Sequence, residues 1–116
     1  MATILITGCS SGIGKHCALR LREEGWNVIA TARKPADIEM LNDAGLTGIY
    51  LDYTDSSSIA AAVEVALEAG SGRIDALFNN GAYGQAGAVD DISTDVLRRQ
   101  FEANFFGWHE LTNLVV

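Results

Sequence analysis

The residues best placed to do chemistry lie in a glycine-rich segment near the start of the chain, residues 7–14, which read TGCSSGIG. An apolar run with β-branched residues precedes this segment, and apolar residues at helical spacing follow it. A loop that leads from a strand into a helix offers free backbone N–H groups, and the helix dipole favours negative charge there. The segment therefore predicts a loop that binds the phosphate groups of a nucleotide.

The spacing of this loop excludes two known phosphate-binding patterns. A Walker loop that ends at Lys15 needs a glycine where the chain has Cys9, and a serine or threonine where it has His16. The G-x-G-x-x-G pattern fails as well, because Cys17 stands in the position of its third glycine. What remains is a T-G-x-x-x-G-x-G loop. Its spacing makes a phosphate-transferring enzyme of the P-loop class a weak hypothesis for this chain.

Strand and helix patterns alternate along the chain and would position this loop. Short apolar runs predict strands at Thr3–Thr7, Val28–Ala32, Gly48–Leu51 and Ile74–Asn79. The order predicts an α/β fold, a Rossmann-type doubly wound parallel sheet that is incomplete, with about four strands and four helices. Residues 1–116 are expected to form one domain, with its ligand beyond the C-terminal strand ends.

The helices between these strands have recognisable ends. The first two are predicted to close at Gly25 and Gly45, and Thr54 or Asp55 is expected to cap the third. Ser93 or Thr94 would cap a long final helix. The apolar side of that helix is predicted to carry Val96, Leu97, Phe101, Phe105, Trp108, Leu111 and Leu114.

Composition limits the possible partners. A net charge of −7 with only eight basic residues argues against binding to nucleic acid. The first residues contain neither a basic segment nor a long apolar run, which predicts no signal peptide and no membrane span. Cys9 and Cys17 lack companion ligands at metal spacing, so no metal site is expected. We expect a cytoplasmic protein that binds small molecules.

The loop, Asp52, the run from Asn79 to Ala82, and Asn104 together resemble the N-terminal part of the short-chain dehydrogenase/reductase family. Members of this family are NAD(P)-dependent oxidoreductases with a doubly wound Rossmann fold, so the resemblance implies that residues 1–116 are the N-terminal portion of one NAD(P)-binding Rossmann domain. The resemblance implies hydride transfer between the nicotinamide and a small carbonyl or alcohol substrate. It also implies a set of cofactor-binding residues: Gly8, Ser10, Ser11, Gly12, Ile13, Gly14, Asp52, Tyr53, Asn80, Gly81 and Ala82.

The resemblance also implies a role for each group of residues. The glycine-rich loop would hold the diphosphate and the adenosine ribose, and Asp52 would accept a hydrogen bond from the adenine amino group. Asn80, Gly81 and Ala82 would line the two riboses, although the family usually has Ala-Gly where this chain has Gly-Ala. Asn104, the one catalytic candidate, would help position a water chain that leads to a catalytic lysine.

Arg33 decides the expected form of the cofactor. NAD enzymes of this fold place an acidic residue about 20 residues beyond the loop, where it binds the ribose 2′-hydroxyl. Here Arg33 occupies that region, and a guanidinium can pair with the 2′-phosphate of NADP. The nearest acid, Asp37, is expected to lie in the next helix. The sequence thus favours NADP over NAD.

The catalytic residues of the family are not found in residues 1–116. Members use a serine and a Tyr-x-x-x-Lys motif, whereas the only lysines here are Lys15 and Lys34. We therefore expect a fragment of a longer oxidoreductase that is inactive alone and associates through apolar surface left bare. The resemblance also implies that the parent protein is a homo-oligomer, because many family members make subunit contacts through the long helix. The alternative is an NADP-binding sensor module without catalysis.

Overall fold

A computed structural model describes all 116 residues, and its elements alternate as the sequence predicts. The four strands are β1 (Thr3–Ile6), β2 (Asn27–Ala32), β3 (Thr47–Tyr50) and β4 (Ala76–Phe78). The five α-helices are α1 (Gly12–Glu23), α2 (Pro35–Asp43), α3 (Ser56–Ala69), α4 (Thr94–Phe101) and α5 (Gly107–Val115). A 3₁₀ turn at Val89–Asp91 precedes α4, and a π-helical turn at Glu102–Phe106 joins α4 to α5.

The strands form one parallel sheet in the order β3-β2-β1-β4. The central strands β1 and β2 are buried on both faces, because helices pack on each side of the sheet. Leu5 and Ile29 face the side that packs on α3 and α5, while Ile6 and Ala30 face the side that holds α1 and α2. The predicted Rossmann-type fold is confirmed, and all four strands bring their C-terminal ends to one edge.

The ends of the helices follow the residues that suit them. Gly25 and Gly45 adopt φ values of +93° and +85° just after α1 and α2, where an L side chain would be strained. Of the two caps proposed for α3, Asp55 is the one used, since its carboxylate accepts hydrogen bonds from the N–H groups of Ser57 and Ser58. Ser93 caps α4 by accepting from the N–H of Val96.

The final helix departs from the prediction in two ways. It is interrupted by the π turn, and the apolar side assigned to it does not face the core as a whole. The inward positions are Ala103, Gly107 and Leu111, which are buried. The extra residue of the π turn shifts the helical phase, so the spacing measured along an uninterrupted helix fails. Four members of the predicted apolar side are exposed instead: Leu97, Phe101, Phe105 and Leu114.

The helices are short, and none combines the length and the apolar character that crossing a membrane would require.

Candidate functional site

A cleft of about 320 Å³ opens at the C-terminal ends of the four strands. Nine of the residues proposed from the sequence line it: Gly8, Ser10, Ser11, Arg33, Asp52, Tyr53, Asn80, Gly81 and Ala82. Four others do not line it: Gly12, Ile13, Gly14 and Asn104. The fold thus brings together most of a set that is scattered over some 75 positions of the chain.

The hydroxyl of Thr7 lies at the centre of the cleft floor. Thr7 directly follows β1 and is fully buried. Its Oγ1 accepts hydrogen bonds from the backbone N–H groups of Asn80 and Gly81, each at 3.0 Å. The same oxygen lies 2.7 Å from the hydroxyl of Tyr53. One side chain at the end of β1 therefore fixes the backbone that follows β4 and the residue that follows β3.

The direction of the bond between the two hydroxyls is set by a chain of further hydrogen bonds. Tyr53 donates its single proton to Oδ1 of Asn79 at 2.7 Å, so it must accept the proton of Thr7. Asn79 in turn donates from Nδ2 to Thr112, whose hydroxyl donates to the carbonyl oxygen of Trp108. This chain, which we call the Thr7 relay, connects the cleft floor with α5.

Burial raises the pKa of Tyr53 to about 12, which the hydrogen bond from Thr7 only partly opposes. The phenol therefore remains a proton donor at any physiological pH.

Glycine is required where the loop that follows β1 meets the loop that follows β4. A Cβ on Gly8 would lie 2.6 Å from the Cα of Gly81, and the backbone of Gly8 has a φ of +67°. A Cβ on Gly14 would lie 2.5 Å from Nδ2 of Asn80, the group that donates to the carbonyl oxygens of Thr7 and Gly8. Gly14 thus supports the loop from beneath, which explains why it does not line the cleft.

The N-terminus of α1 is suited to an anion. Ser11 is the extended N-cap residue, its side chain makes no cap hydrogen bond, and the first turn carries no acidic side chain. Ser10 and Ser11 are exposed in the cleft. Gly12 and Ile13 are exposed at the start of the helix without lining it. The free N–H groups of this turn can receive phosphate oxygens.

Charged residues stand at the ends of β2 and β3. Arg33 is exposed on the cleft wall and takes part in no ion pair. Asp37 lies in the first turn of α2, as the sequence predicts. Asp52 also lines the cleft, where its Oδ1 accepts hydrogen bonds from the N–H and the hydroxyl of Thr54. These bonds orient the carboxylate at the cleft wall.

Asn104 lies in the π turn and uses its side chain to hold another segment. Its Oδ1 accepts from the N–H of Tyr83 at 3.1 Å, and its Nδ2 donates to the carbonyl oxygen of Tyr83 at 2.6 Å. Tyr83 lines the cleft, so Asn104 fixes the cleft wall from behind. In this structure the side chain of Asn104 is therefore bound to protein backbone.

Sequence reasoning missed several residues that build the cleft. Thr7, Thr31, Tyr83 and Ala103 all line it. Trp108 lies behind the cleft and donates from Nε1 to the carbonyl oxygen of Gly81 at 2.7 Å. The position of Thr7 and Thr31 at the ends of parallel strands was the available signal, because side chains at that edge meet in space. Nothing local in the sequence marks Ala103 or Trp108.

These features define a Rossmann-type α/β protein with a phosphate-binding type of loop at the carboxyl edge of its sheet. A family model described as short chain dehydrogenase matches residues 2–116. The chain belongs to the short-chain dehydrogenase/reductase family.

Curated relatives agree with this membership. The chain is 41% identical over 110 residues to the uncharacterized oxidoreductase YbbO of Escherichia coli K12, which covers 95% of this chain and 41% of that protein. It is 39% identical over 104 residues to the 3-ketodihydrosphingosine reductase of Bacteroides thetaiotaomicron, covering 90% of this chain and 37% of that protein. The chain thus spans about two fifths of the length of these relatives.

A solved structure with similar architecture is that of the F189W actinorhodin polyketide ketoreductase with NADPH. It is 30% identical to this chain and superposes with a TM-score of 0.88, covering 98% of this chain and 46% of the ketoreductase.

The raised pKa of Tyr53 predicts a loss of stability in alkali. The unfolded phenol ionises near its ordinary pKa of 10, whereas the folded one holds its proton to about 12. The contribution of Tyr53 to stability should therefore be complete below pH 10 and fall as the pH rises toward 12, by about 1–2 kcal/mol at pH 11.5. Urea unfolding between pH 8 and 11.5 measures this.

Two variants isolate the contribution of Tyr53. Tyr53→Phe should remove the part of the alkaline slope that begins near pH 10. Cys9→Ala should remove a second part that begins near pH 9, because burial also raises the pKa of Cys9 from 9.0 to about 12, and the loss that remains in Cys9→Ala belongs to Tyr53. Equal slopes in the wild type and Tyr53→Phe would contradict the assignment.

Proposed function

We propose that residues 1–116 form the NADP-binding N-terminal portion of an oxidoreductase that transfers hydride between NADP(H) and a small carbonyl or alcohol substrate. The observation that carries this proposal is Arg33, an unpaired guanidinium on the wall of the cleft at the end of β2. A free guanidinium there can pair with a 2′-phosphate in two parallel hydrogen bonds. No acidic residue follows β2 until Asp37, which is already inside α2.

The residues of the cleft fit a dinucleotide. The glycines at the loop contact leave its backbone open to a diphosphate, and the first turn of α1 offers N–H groups that no side chain occupies. Asp52 can accept from the adenine amino group, and residues 80–82 form the opposite wall against the riboses. The buried hydroxyl of Thr31 has no partner within the protein, as expected for a group that meets a polar ligand.

The bound nicotinamide would supply the hydride chemistry, and this chain would bind and orient it. Two similar proteins bear names that describe keto-group reduction, 3-ketodihydrosphingosine reductase and polyketide ketoreductase, and the latter was solved with NADPH. They support a carbonyl or alcohol substrate. We propose that the serine, tyrosine and lysine of the reaction lie outside residues 1–116. We also propose that the protein is cytoplasmic, because the free thiols of Cys9 and Cys17 suit a reducing compartment.

Arg33→Ala should weaken NADP binding by about tenfold or more and leave NAD binding nearly unchanged, because only NADP carries the phosphate that the guanidinium meets. Isothermal titration of both nucleotides into the protein expressed from its complete reading frame measures the two affinities.

Arg99→Ala is the matched control, since Arg99 is exposed on α4 and does not line the cleft. Equal losses for NADP and NAD in Arg33→Ala would refute the assignment of NADP.

We also propose that the protein is a homo-oligomer. Phe101, Phe105 and Phe106 form an exposed aromatic cluster, with successive ring centroids 6.2 and 5.5 Å apart. Large exposed apolar patches mark contact surfaces. Light scattering of the complete protein at micromolar concentration should give at least twice the mass of one chain, and a monomer mass would contradict this.

A further inference from the structure

Thr31 differs from every other buried polar side chain of the protein. It is 1% exposed, and its Oγ1 is the only buried side-chain nitrogen or oxygen without a hydrogen-bond partner. Thr7, directly after the neighbouring strand β1, is equally buried, yet its hydroxyl bonds to the hydroxyl of Tyr53 and to two backbone N–H groups. The hydroxyl of Thr31 thus stands alone beside a fully bonded one.

The position of Thr31 connects it with the cleft. Thr31 is the second-last residue of β2, and it lines the cleft together with Arg33, two residues further on. Its carbonyl oxygen is already bound, because it accepts from the N–H of Cys9 in the glycine-rich loop at 2.8 Å. The side-chain hydroxyl, in contrast, has no partner within the protein.

An unbonded buried hydroxyl lowers the stability of the free protein, because it has lost its water without gaining a partner. Valine has nearly the same shape and suits a central strand at least as well. A threonine at this point is therefore unfavourable unless its hydroxyl finds a partner when the protein acts. Thr31 borders the cleft, so a ligand in the cleft is the partner that the structure offers.

We propose that Thr31 is a binding residue for the adenosine part of the dinucleotide, to which its hydroxyl makes a hydrogen bond. This inference rests on the proposed function, and it assigns the contact to the end of the cleft where Arg33 and Asp52 stand. The hydroxyl can donate or accept, because the protein uses neither its proton nor its lone pairs.

The test compares Thr31→Val with Thr31→Ser in the protein from its complete reading frame. Titration calorimetry with adenosine 2′,5′-bisphosphate and with NADP gives the affinities, and thermal unfolding without ligand gives the stability. Thr31→Val should bind both probes about threefold to tenfold more weakly while unfolding at the same or a higher temperature. Thr31→Ser, which keeps the hydroxyl, should bind within about twofold of the wild type.

Thr3→Val provides the opposite pattern as a control. Thr3 is 3% exposed at the far end of β1, and its hydroxyl accepts from Nδ2 of Asn27 at 3.1 Å. Its loss should lower the unfolding temperature and leave both affinities unchanged.

Each other outcome is decisive. Unchanged affinity in Thr31→Val, with a wild type that binds both probes, overturns this inference and leaves the proposed function standing. A lowered unfolding temperature in Thr31→Val shows a structural hydroxyl and also overturns the inference. A wild type that binds neither probe overturns the proposed function and this inference together.

Discussion

The arrangement of the cleft depends on one constraint, the need to satisfy the backbone N–H groups of Asn80 and Gly81 where the chain leaves β4. These groups have passed the end of the sheet and have no neighbouring strand to bond with. Buried N–H groups without acceptors are costly, so a side-chain oxygen must reach them. The hydroxyl of Thr7 does so, and it can accept twice because it passes its own proton to Tyr53.

The other features of the cleft follow from this contact. Because the loop after β4 is drawn onto the loop after β1, Gly8 and Gly81 touch through their backbones, and Gly8 does not tolerate a side chain there. The Thr7 relay then extends the constraint to α5, where Gly107 lets the helix approach Tyr53 closely. A rigid floor results, and the glycine-rich loop, Arg33 and Asp52 stand around it. Binding groups held on such a floor lose little entropy when a ligand arrives.

Local patterns in the sequence predict the strands, the glycine helix ends and the phosphate-type loop, because each depends on residues close together in the chain. The position of the cleft could also be predicted, because ligands of parallel sheets bind beyond the C-terminal ends of the strands. The Thr7 relay could not, since the bond between Thr7 and Tyr53 joins residues 46 positions apart. The exposure of Phe101 and Phe105 was also missed, because the π turn divides the long helix into two parts whose apolar positions do not share one face.

Amide hydrogen exchange of Asn80 and Gly81, followed by NMR, tests the central constraint most directly. If the hydroxyl of Thr7 holds both N–H groups, they should exchange at least about tenfold more slowly than the exposed amides of Gly84 and Gln85 in the same loop. Thr7→Ser should preserve this protection, because it keeps the accepting oxygen. Exchange of Asn80 and Gly81 in the wild type as fast as that of Gly84 and Gln85 would contradict the account.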